Sequence, residues 1–173
     1  MRVALTGTPG TGKTSVAEIL VRRGYHVVYL DRLAEERKLI VGIDPARNTR
    51  EVDIEALDEA VEVPVKLGFL VGHYSHLLSV TLAIVLRCHP RTLAERLRAR
   101  GWSEAKVREN VEAEAIDVIT QEAVARVPYV YEVETTSSAP EDNASAVLGI
   151  LQGRTDGHEP GRFDWSDEVL SWS

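Results

Sequence analysis

The stretch that decides the fold is Arg2-Val-Ala-Leu-Thr6, followed at once by Gly7-Thr-Pro-Gly-Thr-Gly12-Lys13-Thr14. A strand pattern runs into the motif G-x-x-x-x-G-K-[ST]. A helical period then takes over, with Val16, Ile19, Leu20 and the stem of Arg23 on one face, and Gly24 closes that helix. Glycines let the backbone curl so that successive N–H groups point inward at an anion, and the helix N-terminus adds its partial positive charge. The alternative is a glycine-rich turn that only joins strand to helix. The complete motif in a strand-to-helix setting favours a phosphate loop. The expected ATP contacts are Gly7, Pro9, Gly10, Thr11, Gly12, Lys13, Thr14 and Ser15. Lys13 is expected to reach the β- and γ-phosphates, and the Thr14 hydroxyl to ligate Mg²⁺.

Outward from the loop, apolar runs of strand length recur at His26–Leu30, Gly68–Val71, Thr81–Arg87 and Tyr129–Glu134, with helical periods between them. Alternation of this kind predicts a largely parallel sheet with helical crossovers, an open α/β sandwich of five strands. Pro90 opens one helix, and Ser103 caps a longer one carrying Val107, Val111, Ala115, Val118 and Ile119; Gly101 and Trp102 form the break between them. Pro140–Gln152 reads as a last helix, and the glycine-rich Gly153–Arg162 as a linker to a short tail. The expected organisation is a kinase-like domain over 1–152 and a linker and tail over 153–173.

A chain of 173 residues is one domain in size, and 44% hydrophobic with 27% charged residues excludes a disordered or fibrous protein. Cys88 alone builds no disulfide framework. The longest apolar stretch, Leu77–Leu86, is interrupted by Ser79 and Thr81 and is too short to span a bilayer. The N-terminus enters a strand at once, without a leader pattern. A soluble, cytoplasmic, monomeric protein is expected. The net charge of −7 argues against general nucleic-acid coating, without excluding a local basic site. Four of the twenty cations are lysines (Lys13, Lys38, Lys66, Lys106), and the rest are arginines.

Those arginines crowd one segment: Arg87, Arg91, Arg96, Arg98, Arg100 and Arg108, with Lys106 among them. Phosphoryl transfer is helped chiefly by positioning and by cations, and the planar guanidinium fork holds two phosphate oxygens at any working pH. Residues 91–108 therefore read as a lid, with Gly101 as its permissive joint. Arg91 and Arg98 read better as a solvated face paired with Glu95, Glu104 and Glu109. Arg96 and Arg100, flanking the break, are the expected phosphate-binding pair. A base-reading Asn-Lys-x-Asp stretch is missing, which excludes a small GTPase switch, and the chain is too short for a large mechanical ATPase.

Short phosphate-loop proteins with this helix pair look like nucleoside monophosphate kinases. At Gly7–Thr14, at Gly72-His-Tyr-Ser-His-Leu-Leu78 and at Arg91-Thr-Leu-Ala-Glu-Arg-Leu-Arg-Ala-Arg-Gly-Trp102, the sequence is similar to one family. It resembles the archaeal branch of the adenylate kinases whose eukaryotic members are the nuclear adenylate kinase, or coilin-interacting nuclear ATPase. The similarity extends through Arg108–Asp117 and the tail Asp164-Trp-Ser166. The resemblance implies a three-layer nucleoside monophosphate kinase-like fold with a small lid and an acceptor-binding segment. It implies transfer of the γ-phosphate of Mg-ATP to AMP or a related monophosphate, with ATPase activity, and help in maturing 16S rRNA of the small ribosomal subunit. The partner it implies is a platform ribosomal protein, bringing indirect contact with rRNA. Lys13, Arg100 and His73 take the catalytic positions, His73 as the histidine of the family's Asp-x-His motif.

At Val71, two before His73, the family places an acid that holds Mg²⁺ or its water and orients an attacking water. Valine can do neither. Asp31, at the end of the second strand, is the expected substitute in the metal shell, beside Thr14. A weakened hydrolytic branch follows. His73 and His76 together make a poor zinc site without a further Cys or carboxylate, and the role of His76 stays open between site and scaffold. Cys88 and His89 read as structural.

Residues 42–62 are expected to cover the acceptor, with Arg47 and Arg50 holding its phosphate and Asn48 or Thr49 orienting it. A charged surface loop is the alternative. The aromatics Phe163, Trp165 and Trp172 read as a tail folded back on the same chain, ahead of docking on a partner. Three functions are thus open: a monophosphate kinase, a nucleotide-gated assembly factor for a basic ribosomal protein, and a small-metabolite kinase.

Overall fold

A computed structural model describes residues 1–44 and 49–170. The strands are β1 (Arg2–Thr6), β2 (His26–Tyr29), β3 (Ile40–Asp44), β4 (Thr49–Val52), β5 (Gly68–Val71), β6 (Leu82–Arg87) and β7 (Tyr129–Glu134). The helices are α1 (Lys13–Arg22), α2 (Leu30–Glu36), α3 (Ile54–Ala60), α4 (Pro90–Ala99), α5 (Glu104–Ala115), α6 (Val118–Arg126), α7 (Pro140–Leu151) and α8 (Ser166–Leu170), with a 3₁₀ turn at Ser75–Leu77. Five strands form one sheet in the order β2-β5-β1-β6-β7, and all of its pairings are parallel. All five strands were expected, and the sheet is wholly parallel where a largely parallel one was read.

Both faces of the sheet are covered, which is why its strands are almost continuously apolar. Val3 and Leu5 point into one core with Val16, Leu20, Ala144 and Val147 of α1 and α7. Ala4, between them, points the other way, to Ala83, Val85 and Ala123 of α6, and Leu70 meets Leu30 and Leu57 of α2 and α3. Period-two alternation thus assigns each helix to its layer. A fourth cluster, Cys88, Leu93, Leu97, Val107 and Val111, holds α4 against α5.

Three features depart from the sequence reading. The segment after α2 forms an antiparallel hairpin, β3–β4, where no strand was read. The helix expected to run from Ser103 through Ile119 is two helices, because Asp117 takes a left-handed conformation at φ 67° between them. Gly101 (φ 76°) does the same between α4 and α5, at the expected break. The glycine-rich segment 153–162 is not a free linker, whereas the tail beyond it folds back on the same chain as expected. Glu132 N–H donates to His158 O (2.8 Å), Phe163 stacks on Trp165 with ring centroids 5.3 Å apart, and α8 packs on α5. Trp172 lies outside the described residues. No helix of the described residues is long and apolar enough to cross a membrane.

Candidate functional site

The parallel register brings Thr6 level with Val85 and Leu5 level with Val71, so the loops after β1, β2 and β5 emerge at one edge. Ligands of open α/β sheets bind at that edge. Gly7 has φ 137°, and a Cβ there would meet Leu86 O at 2.4 Å. Only glycine fits so close to a neighbouring strand. Gly10 (φ 95°) is similarly confined by Leu93 and Leu97, and Gly12 (φ 99°) turns the chain into α1. The loop is braced from behind. Thr11 Oγ1 donates to Thr8 O (2.9 Å), Thr135 Oγ1 to Thr11 O (2.7 Å), and the Thr8 hydroxyl to buried Glu114.

Lys13 bends back so that Nζ donates to Gly7 O (2.6 Å) and Thr8 O (3.1 Å). Burial pushes its pKa down to about 8, with Arg100 acting the same way and Glu114 and Asp31 opposing. A cation satisfied only by neutral carbonyls in a partly desolvated place gains from an arriving anion. Thr14 and Ser15 are exposed in the first turn of α1, and Pro9 is half-buried in the loop.

A cleft of about 640 Å³ joins Lys13 and Thr14 to Asp31, Tyr29, Val71 and Gly72. A second, of about 350 Å³, runs between Asp31, Ile40, Arg50, His73, Tyr74 and Lys106. Asp31 lines both. It sits in the first turn of α2, one residue beyond the strand end where it was read, and accepts a hydrogen bond from the Tyr74 hydroxyl (2.7 Å). Burial first, and then that bond to Asp31, raises the Tyr74 phenol above its ordinary range. His73 is half-buried; burial first, then Lys13, lowers its imidazole to about 4, so it is neutral at working pH. Val71 is 5% exposed at the cleft wall and presents no oxygen.

A magnesium ion asks for hard oxygen donors and keeps several waters and substrate phosphates. The Thr14 hydroxyl and the Asp31 carboxylate, which line the same cleft, suit that requirement. Among the described residues no group of three or more His, Cys, Asp or Glu gathers as a metal cluster.

The expected arginines separate. Arg50 lies in the second cleft, ion-paired to Glu35 of α2. Arg47 lies outside the described residues. Arg100 is exposed at the C-cap of α4, close enough to Lys13 to depress its pKa. Arg96 is spent on the scaffold, donating to the carbonyls of Gly10 (3.4 Å), Thr135 (2.7 Å) and Thr136 (3.2 Å). Arg98 pairs with Glu104, one of the partners read for it, while Arg91 pairs with Glu168 of the tail, which was not read. Arg87 is no part of a lid. It is 1% exposed, bound to Glu114, Asp117 and Glu132, with Trp165 over its guanidinium at 5.1 Å. A strand end facing inward leaves it no route to solvent.

Four contributors have a role that the sequence reading did not give them: Glu114, Lys106, Tyr74 and Thr135. Glu114 had a signal, a charge at helical spacing on the face of Val107 and Val111. The other three are placed by tertiary contact alone.

Residues 3–117 match the model of a family described as AAA domain. A relative from Archaeoglobus fulgidus, named "Putative adenylate kinase", is 45% identical over 98% of this chain and 94% of its own. Its namesake from Methanothermobacter thermautotrophicus is 42% identical over 97% of this chain and 99% of its own. Among solved structures, shikimate kinase from Acinetobacter baumannii in complex with shikimate superposes with a TM-score of 0.61. It is 14% identical and covers 90% of this chain and 94% of that one, a likeness of fold.

Proposed function

This chain belongs to the AAA domain family and to the archaeal family of those two relatives, and from that premise we propose that it is a phosphotransferase of the nucleoside monophosphate kinase type. The reaction moves the γ-phosphate of Mg-ATP to AMP or a related monophosphate. The observation that carries this reading is the pair of clefts sharing Asp31, one reached by the phosphate-loop cation Lys13 and the other carrying Arg50, Lys106 and His73. Donor and acceptor phosphates would approach each other from the two sides of that carboxylate.

In the proposed cycle Lys13 leaves the Gly7 and Thr8 carbonyls for the β- and γ-phosphates, and the backbone N–H groups of Gly10, Gly12 and Lys13 cradle them. Mg²⁺, held through Thr14 and Asp31, would supply charge neutralisation of the phosphate oxygens. Arg50 and Lys106 hold the acceptor phosphate. Arg100 swings over the transferring group from the lid, and Arg96 keeps the Gly10 turn in shape. Neutral His73 offers a ring nitrogen as acceptor or donor without adding charge beside Lys13. Val71 removes the carboxylate that would otherwise orient a water, so transfer to an acceptor is favoured over hydrolysis. A coupled assay with ATP and AMP, against ATP alone, tests this: turnover should need the acceptor. Val71→Asp should raise hydrolysis without acceptor about tenfold. Equal ATP consumption with and without every monophosphate offered would overturn the kinase reading.

The resemblance at Gly72–Leu78 and Arg91–Trp102 carries a second proposal, assistance in small-subunit maturation through a basic platform ribosomal protein. The net charge of −7 has the sign such a partner needs. Pull-down with and without ATP tests it, and no binding in either state would sink it.

A further inference from the structure

The 3₁₀ turn at Ser75–Leu77 carries a buried histidine that the proposed mechanism leaves unused. His76 is 2% exposed and Thr6, at the end of β1, is 0% exposed. Thr6 Oγ1 lies 3.1 Å from His73 O and 3.0 Å from His76 Nδ1, while His76 Nε2 lies 3.0 Å from Glu122 Oε2 of α6. A hydroxyl has one hydrogen and a carbonyl only accepts, so Thr6 cannot donate to both neighbours at once.

Two arrangements satisfy the chemistry. With His76 neutral, Nε2–H donates to Glu122, Nδ1 accepts the Thr6 hydrogen, and the His73 carbonyl has no bond from Thr6. With His76 protonated, both ring nitrogens donate; Nδ1–H goes to Thr6 Oγ1, whose own hydrogen then turns to His73 O. One proton on His76 thus decides whether β1 grips the His73–Tyr74 peptide. That peptide carries both the imidazole at the phosphate end and the phenol that holds Asp31.

We propose that His76 is a positioning residue for His73 and Tyr74, acting through the Thr6 hydroxyl, and that its protonation switches the grip on their shared peptide. The groups facing His76 are Glu122 and Arg126 from α6, neutral Thr6 from β1, and the His73 imidazole. Burial first, and then Arg126, lowers the His76 pKa below 6.5, against the pull of Glu122. The ungripped arrangement is therefore the one at neutral pH, and the gripped one forms on acidification. Small displacements of a catalytic group are costly in rate, so the switch should appear in kcat more than in KM.

The effect on rate rests on the kinase reading; the hydrogen-bond switch does not. The whole chain, labelled with ¹⁵N, would be titrated by NMR between pH 8 and 4. Expected are an Nε2–H tautomer of His76 at pH 8, a second ring proton on acidification at a midpoint below 6.5, and a Tyr74 amide shift with the same midpoint. Thr6→Ser should keep the Tyr74 response, and Thr6→Val should abolish it. In the coupled assay kcat should carry this inflection in the wild type and Thr6→Ser, and lose it in Thr6→Val with a change of about fivefold to tenfold. An Nδ1–H tautomer at pH 8, or a Tyr74 response that survives Thr6→Val, would overturn the proposal. A switch seen by NMR in a protein that phosphorylates no acceptor would leave it standing and remove only the kinase reading.

Discussion

The phosphate loop and the Arg87 cluster lie back to back across β1 and β6, joined by Glu114, and they treat charge in opposite ways. Glu114 accepts from the Thr8 hydroxyl on one side and from Arg87 Nε (2.9 Å) and Cys88 N–H (2.9 Å) on the other. In the cluster a cation is sealed among three carboxylates and capped by Trp165 of the tail. At the loop a cation is parked on two carbonyls, with its pKa pulled down to about 8 and a cleft in front of it. A buried charge whose partners are complete is scaffold, and one whose partners are neutral is waiting for a ligand.

That contrast can be broken most forcefully at Arg87. Arg87→Met leaves buried Glu114 and Glu132, and half-buried Asp117, without their cation and should cost about 3–5 kcal/mol in urea unfolding. A lost phosphoryl-transfer rate with unchanged unfolding would move Arg87 from scaffold to chemistry. Lys13→Ala should do the reverse, lowering kcat by about 10²–10³-fold in the coupled assay while leaving the unfolding midpoint unchanged.

Asp117 sharpens the comparison from the pH side. Burial first raises its pKa from 3.8 to about 6, against the pull of Arg87. Native protein therefore holds a proton that unfolded chain has released. The stability from this residue is fully present below about 3.8 and is lost as pH rises through about 6. Asp117→Asn, which also suits a left-handed backbone, should flatten that decline by an amount on the order of 1–2 kcal/mol, read from unfolding curves at pH 4 and 7. At the small end, Arg98→Ala breaks an exposed pair with Glu104 and should change neither the unfolding midpoint nor kcat.

Much of this was legible beforehand. The strand, loop and helix from Arg2 to Arg22 are encoded by residues that touch one another locally, as are the starts of α4 at Pro90 and α5 at Ser103. The β3–β4 hairpin was not legible, because its short strands stand apart from the main sheet and leave Val41 and Ile43 exposed. Nor was the break at Asp117, since the periodicity of Val107, Val111, Ala115, Val118 and Ile119 survives a one-residue kink. Arg96 and Arg100 looked alike in sequence. One is tied to backbone carbonyls behind the loop and the other faces solvent at the C-cap of α4.

The sequence by itself determined the parallel sheet, the phosphate loop and the identity of its cation, because spacing over a few residues dictates them. Only the tertiary structure decided which arginines are inside and which face solvent, and which groups share the second cleft. Arg87 meets Glu114 and Glu132 from 27 and 45 residues away, and Lys106 reaches the cleft of Asp31 and His73 from another helix. Burial and partnership over such separations are properties of the packed chain, and no local pattern carries them.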